Sequence, residues 1–182
     1  MTKDDPKSVL IKNKKDSKKK LCKRLSLDSK MPLITLVLDQ ELGAGVRELV
    51  EKFLEGTSVL NVEIAVVADT NLDSFSFPHV HYIPYSEENR KHVLGAADMM
   101  VAFPFNDLEE ALLNGTIPVC HECELANDYN PNSETGNSFV YGGAEAADHW
   151  KVFASLVRAL ETYKFPYDWK NIILSGLEKA NV

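Results

Sequence analysis

Residues 34–56, ITLVLDQELGAGVRELVEKFLEG, decide the fold. ITLVLD is a continuous apolar run with β-branched members, the pattern of a strand buried on both faces. VRELVEKFLEG puts Val46, Leu49, Val50, Phe53 and Leu54 on one helical stripe, and Gly56 stops it. Between them the chain turns on Gly43 and Gly45. A strand, a glycine turn and a helix commonly cradle a phosphate on the free amides of the helix. This turn instead carries Asp39 and Glu41, with no lysine or arginine.

The same alternation continues outward. VEIAVVAD reads as a second buried strand and HVHYIPYS as a third, followed by the polar helix EENRKHVLGAA. DMMVAFPF is a fourth strand. NDLEEALLNG is a short helix, with Asn106 or Asp107 as N-cap and Gly115 closing it. TIPVCHE, the polar loop LANDYNPNSETGN and SFVYGG give a fifth strand, a connection and a sixth strand. AEAADHWKVFASLVRALETYKF is a long helix, and YDWKNIILSGLEKA a last one after Pro166. No internal repeat is present. Strands and helices in alternation with short turns predict a Rossmann-like α/β/α sandwich with a parallel sheet. Ligands then belong at the carboxyl ends of the strands, beside helix N-termini.

The 182 residues, 45% hydrophobic and 26% charged, suffice for one well-buried domain with a tail. The expected division is a polar basic lead-in with one short helix over 1–30 and a single domain over 31–182. No apolar run approaches the roughly 18 residues that span a bilayer, and the lysine-rich start has no signal-peptide core. A soluble, cytoplasmic protein that engages no membrane is the expectation. Three cysteines make no disulfide framework, in keeping with a reducing compartment. The net charge of -7 hides an asymmetry, because most lysines precede Met31. KNKKDSKKKLCKR reads as a solvated helix rather than a nucleic-acid patch. It has no interleaved aromatics, and the acidic body would repel a polyanion.

Other constellations resolve to plain readings. CHEC at 120–123 has CxxC spacing, but it follows a strand and precedes the acidic ELAND, a poor setting for a thiolate. As a zinc site it lacks a second cysteine pair, with His149 the nearest later candidate, so chance spacing is preferred and no metal is assigned. His79 and His81 alternate along a strand and sit at a sheet edge. Trp150, Phe153, Tyr163, Phe165, Tyr167 and Trp169 are expected to pack the C-terminal helices onto the sheet. Part of that surface could be left exposed as an interface. There is no Ser-His-Asp set and no Walker or dinucleotide fingerprint, so no cofactor and no catalytic residue are assigned.

The series NKKDSKKKLCKRLSLD–MPLITLV, YIPYSEENRKHVLGAADMMVAFP, EALLNGTIPVC, ELANDYN and NSFVYG, ending in the two tryptophan-bearing helices, resembles the C-terminal half of the two-domain (GT-B) glycosyltransferases. It is most similar to the glycogen and starch synthases, and the likeness runs through nearly the whole chain in order. It implies a nucleotide-sugar-binding domain. In the intact family that domain takes part in retaining transfer of glucose from ADP- or UDP-glucose to an α-1,4-glucan, with an N-terminal half supplying the acceptor site.

The resemblance also locates what this chain has changed. The family's arginine and lysine after the first strand, which meet the donor diphosphate, fall on Asp39 and Ala44, and only Gly45 is kept. Each lost contact of that kind costs roughly 2–4 kcal/mol of charge stabilisation. The glycine-rich second turn is replaced by VVADTNLD. The stretch from Asp98 to Gly115 is shorter than in the family, and the first of two family glutamates falls on Ala102. Tyr85 matches a tyrosine that could stack on a nucleobase, and Glu110 the glutamate that grips ribose hydroxyls. The candidate nucleotide-sugar-binding residues implied are therefore Gly45, Tyr85, Glu110 and Thr116. The N-terminus of the 107–114 helix could also receive an anion.

The expected function is a donor-binding domain inactive by itself. The alternative is a catalytically degenerate binding or scaffold module for a glucan or a partner enzyme, such as an N-terminal GT-B half. A flavodoxin-like or receiver domain is a third reading, and the absence of an acidic pair after the first strand counts against a receiver.

Overall fold

The computed structural model describes residues 6–38, 44–69, 77–103, 107–142 and 148–180. Asp39, Glu41, Gly43, Phe105 and Asn106 lie outside them. Six parallel strands form one sheet in the order β3-β2-β1-β4-β5-β6. They are β1 (Leu33–Leu38), β2 (Glu63–Ala68), β3 (Val80–Pro84), β4 (Met99–Val101), β5 (Ile117–Cys120) and β6 (Phe139–Val140). All six residues of β1 are buried, as its continuous apolar run requires. The strand order reverses between β1 and β4, the switch point of a doubly wound sheet.

Six helices cover the faces: α1 (Pro6–Leu25), α2 (Ala44–Gly56), α3 (Glu87–Ala96), α4 (Leu108–Leu113), α5 (His149–Tyr163) and α6 (Pro166–Ala180). On one face Ile34, Leu36 and Val66 pack against Val50 and Phe53 of α2 and Val152 and Leu156 of α5. On the other, Leu33, Ala65 and Val67 meet Leu21 of α1 and Val93 of α3. The alternation along β1 and β2 thus separates two cores with one pleat. The α/β/α sandwich expected from the sequence is the observed architecture.

Helix α6 packs on both α4 and α5. It approaches α4 so closely at Gly176 that a Cβ there would meet Leu112 at 2.8 Å. Helix α4 closes in a Schellman turn: Thr116 N–H donates to Ala111 O (2.8 Å) and Gly115 N–H to Leu112 O (2.9 Å). Gly115 takes φ +66, the left-handed conformation that glycine adopts without a Cβ penalty. The N-cap is Asp107, at φ 65, and its side chain makes no capping bond.

Two expectations are corrected here. The lead-in helix is neither short nor wholly solvated: α1 has 20 residues and buries Lys14, Lys18, Leu21 and Cys22. A lysine run carries no apolar stripe, so periodicity could not reveal the docked face. Ion pairing and hydrogen bonds from the lysines hold the buried side together with the packing of Leu21 and Cys22. Lys18 Nζ sits 2.6 Å from Asp98 Oδ2 and also donates to Met31 O (2.7 Å). Burial alone would lower the basicity of Lys18, but Asp98 raises it above the ordinary range. The aromatic set divides: Trp169 is buried and Tyr163 partly so, whereas Trp150, Phe165 and Tyr167 are 59–68% exposed. Trp150 makes ring contacts with His149 and Phe153, at the start of α5.

Removing one member of the Lys18–Asp98 pair leaves a buried charge uncompensated. Lys18→Met or Asp98→Asn is expected to cost about 3–5 kcal/mol in urea unfolding, and the double variant less than the sum of the two. Lys14 gives a second test. Its Nζ donates to Thr116 Oγ1 (2.6 Å) and Asn114 O (3.3 Å), and burial pushes it down to about 7 from the ordinary 10.5. Between those values the unfolded chain binds the Lys14 proton and the folded chain does not, so stability rises with pH through that window. Lys18 acts in the opposite sense only above pH 10.5. Unfolding free energies from urea titration should therefore rise by about 2 kcal/mol from pH 7 to 9, and Lys14→Met should flatten the slope.

Candidate functional site

The carboxyl ends of the strands carry a cleft of about 630 Å³ lined by Arg90, Asp107, Leu108, Glu109, Glu110 and the 123–125 segment after β5. Arg90 comes from the first turn of α3, which starts at the end of β3. Ser86 N-caps that helix by accepting from Asn89 N–H (3.1 Å), and Asn89 Nδ2 ties the helix to Pro84 O (2.9 Å). Asp107, Glu109 and Glu110 stand at the start of α4, after β4. Three successive strand ends thus deliver the cleft, as the parallel topology dictates.

The guanidinium of Arg90 organises it. Nη2 lies 3.0 Å from Glu87 Oε2, while Nη1 lies 2.5 Å from both Asp107 Oδ1 and Glu110 Oε2. Burial by itself would favour the neutral form, but the hydrogen bonds that Arg90 donates to Glu87 and the charges of Asp107 and Glu110 hold its pKa above the ordinary arginine range. The Tyr85 hydroxyl donates to Glu87 Oε1 (3.0 Å). Tyr85, Glu87, Arg90 and Glu110 therefore form one chain of contacts between the end of β3 and the start of α4. Two of the residues singled out in the sequence, Tyr85 and Glu110, are joined through two that were not.

The other candidates fall elsewhere. Gly45 lies in the first turn of α2, outside the lining of the cleft, and a Cβ built there would meet nothing within 4 Å. Thr116 does not reach the cleft. It precedes β5 at the opposite, amino edge of the sheet, fully buried. Its Oγ1 is within bonding distance of Leu94 O (2.5 Å) and Ala97 O (2.9 Å) and accepts from Lys14. A hydroxyl so saturated fixes the turn after α4 and has no capacity left for a ligand. The amino end of α4 is a poor anion receiver as well, because the helix has six residues and its first turn holds Glu109 and Glu110.

The two cysteines of the CxxC spacing differ in setting, Cys120 being buried and Cys123 half-buried. Cys120 is buried among Val37, Met100 and Ala126, and burial pushes its thiol up to about 12. His121 lies against the ring of Tyr141 (4.6 Å), whose hydroxyl donates to Ala102 O (2.7 Å). Its Nδ1 is 3.3 Å from Gly142 O. These contacts brace the ends of β4, β5 and β6. His79 bonds Thr57 (2.9 Å) and His81 sits 3.6 Å from Glu63, with β3 at the sheet edge. Among the described residues, no three His, Cys, Asp or Glu side chains are grouped to hold a metal, and no helix is long and apolar enough to cross a membrane.

Arg90 was missed because a lone arginine in EENRKH reads as surface charge. The available signal was Glu87 three residues earlier, an i,i+3 partner that fixes the arginine on the α4 side of its helix.

No protein-family model matches the sequence, and no curated protein matches it. Solved structures do share the fold. The C-terminal domain of a group 1 family glycosyl transferase from Francisella tularensis superposes with a TM-score of 0.62 at 14% identity, covering 93% of this chain and 91% of that one. UDP-GlcNAc 2-epimerase from Neisseria meningitidis, bound to UDP-GlcNAc, gives 0.55 at 11% identity over 96% of this chain and 50% of its own. The E. coli trehalose-6-phosphate protein bound with UDP-2-fluoro glucose gives 0.59 at 12% identity, over 93% of this chain and 46% of its own. The chain thus spans about half the length of the larger two. Its fold is that of the Rossmann-like C-terminal half of GT-B glycosyltransferases.

Proposed function

We propose that this chain is a nucleotide-sugar donor-binding domain of the GT-B type, resembling that of the glycogen and starch synthases, and that it turns over no donor by itself. The observation that carries the reading is the Tyr85–Glu87–Arg90–Glu110 chain, of which Arg90 and Glu110 line the cleft. An aromatic ring at one end can stack on a base, and a carboxylate at the other can accept from ribose hydroxyls. Arg90 would orient Glu110 for that task. ADP- and UDP-glucose are the donors the resemblance suggests, with an α-glucan as acceptor and an N-terminal GT-B half as partner. The solved relatives holding UDP-2-fluoro glucose and UDP-GlcNAc support a nucleotide-sugar ligand of this general class. Thr116, buried at the far edge, has no part in it.

The second reading, a degenerate binding or scaffold module, is favoured by one observation. The cleft is lined by four carboxylates, Asp107, Glu109, Glu110 and Glu124, against one cation. A diphosphate would meet net negative charge there.

Calorimetric titration of the full chain at low salt with ADP, UDP and their glucose conjugates tests the proposal. Millimolar binding with one base preferred is expected, weakened about tenfold by Tyr85→Ala through lost stacking. No hydrolysis or transfer of the donor should be seen. Absence of any binding to either base would favour the module, and turnover by the isolated chain would refute the claim of inactivity.

A further inference from the structure

The cleft contains a group suited to phosphate, and the protein's own carboxylates occupy it. A guanidinium offers five N–H donors in a planar fork that matches carboxylate and phosphate oxygens alike. In Arg90, Nε and Nη2 face Glu87, and Nη1 faces Asp107 and Glu110 together. The three partners differ in freedom. The Glu87 side chain is 64% exposed, whereas those of Asp107 and Glu110 are 15% and 29% exposed. The inner two hold Arg90 on the side that faces the cleft.

We propose that Arg90 is the phosphate-binding residue of this cleft and that Asp107 and Glu110 are internal counter-anions standing in the place of phosphate oxygens. The inference rests on the nucleotide-sugar reading and adds a specificity to it. A ligand's phosphate gains Arg90 only by displacing a carboxylate, and each displaced carboxylate then repels it. Glu109 and Glu124, also in the lining, add to that repulsion. The cleft therefore selects for the neutral, hydroxyl-bearing part of a nucleotide and against its diphosphate. The cation that the family resemblance would place after β1, where this chain has Asp39 and Ala44, is replaced by one on α3 held in check.

A merely structural cluster, fixing α3 to α4, would behave differently on substitution. Asp107→Asn with Glu110→Gln removes both negative charges and keeps the shape. Asparagine also tolerates the left-handed backbone at position 107, so the variant should fold. Pyrophosphate is the probe, titrated calorimetrically into the full chain at low salt. The wild type is expected to bind it weakly, the double variant at least about tenfold more tightly, and the triple variant with Arg90→Gln no better than wild type. Arg90→Lys in the double variant keeps the charge but loses the fork and should retain only part of the gain. Should the double variant show no gain, or the gain survive Arg90→Gln, the proposal is overturned. Uridine and adenosine run in parallel separate the two ideas. Nucleoside binding without a pyrophosphate gain sinks only the counter-anion role. A pyrophosphate gain without nucleoside binding sinks the nucleotide-sugar reading and leaves a phosphate site.

Discussion

The fold depends on one buried ion pair. Asp98, at the entry to β4, accepts from Lys18 Nζ and from Leu33 N–H (2.8 Å), the first residue of β1. Lys18 in turn reaches Met31 O and the Tyr163 hydroxyl (3.4 Å) at the end of α5. A single carboxylate and a single ammonium thus join α1, the start of the first strand, the start of the strand beside it across the switch point, and a helix from the opposite layer. Desolvating two charges is costly. Such a pair is tolerated because hydrogen bonds to backbone and phenol satisfy what the ion pair leaves over. It fixes where α1 docks together with the packing of Leu21 and Cys22 against the sheet and α3.

That arrangement divides the sheet into two ends with different tasks. At the amino edge, Lys14, Thr116 and the Lys18–Asp98 pair consume one another's hydrogen-bonding capacity and are closed to water. At the carboxyl edge the charged groups remain partly exposed around an open cleft. Because the frame is fixed from below, residues above the strand ends can change sign or length with little effect on the core. This explains how the turn after β1 can carry Asp39 where the resemblance leads one to expect a cation, while β1 itself stays buried throughout.

The strands and most helices were legible because apolar periodicity is a local signal. ITLVLD, VEIAVVAD and the stripe of α2 each announce their element without reference to the rest of the chain. Tyr85 and Glu110 were singled out only through family resemblance, and the structure sets them at opposite ends of one network. What stayed hidden depends on partners far along the chain. Lys18 is 80 residues from Asp98, and Lys14 is 102 from Thr116, so nothing local marks either lysine as buried. Thr116 was misplaced for a related reason. It sits in a loop, but one at the amino edge, and only the strand direction tells the two edges apart. The exposed rings of Trp150, Phe165 and Tyr167 failed a simpler rule, that large aromatics pack inward.

Arg90 shows how a cleft lined by carboxylates can be stable. A lone guanidinium in a partly buried pocket would carry an unmet desolvation cost, and so would Asp107 and Glu110 beside each other without it. Together they satisfy one another, and α3 is tied to α4 across the mouth of the cleft. Binding an anion there means exchanging one satisfied arrangement for another, so affinity is set by the difference between the two and not by the strength of the new contact.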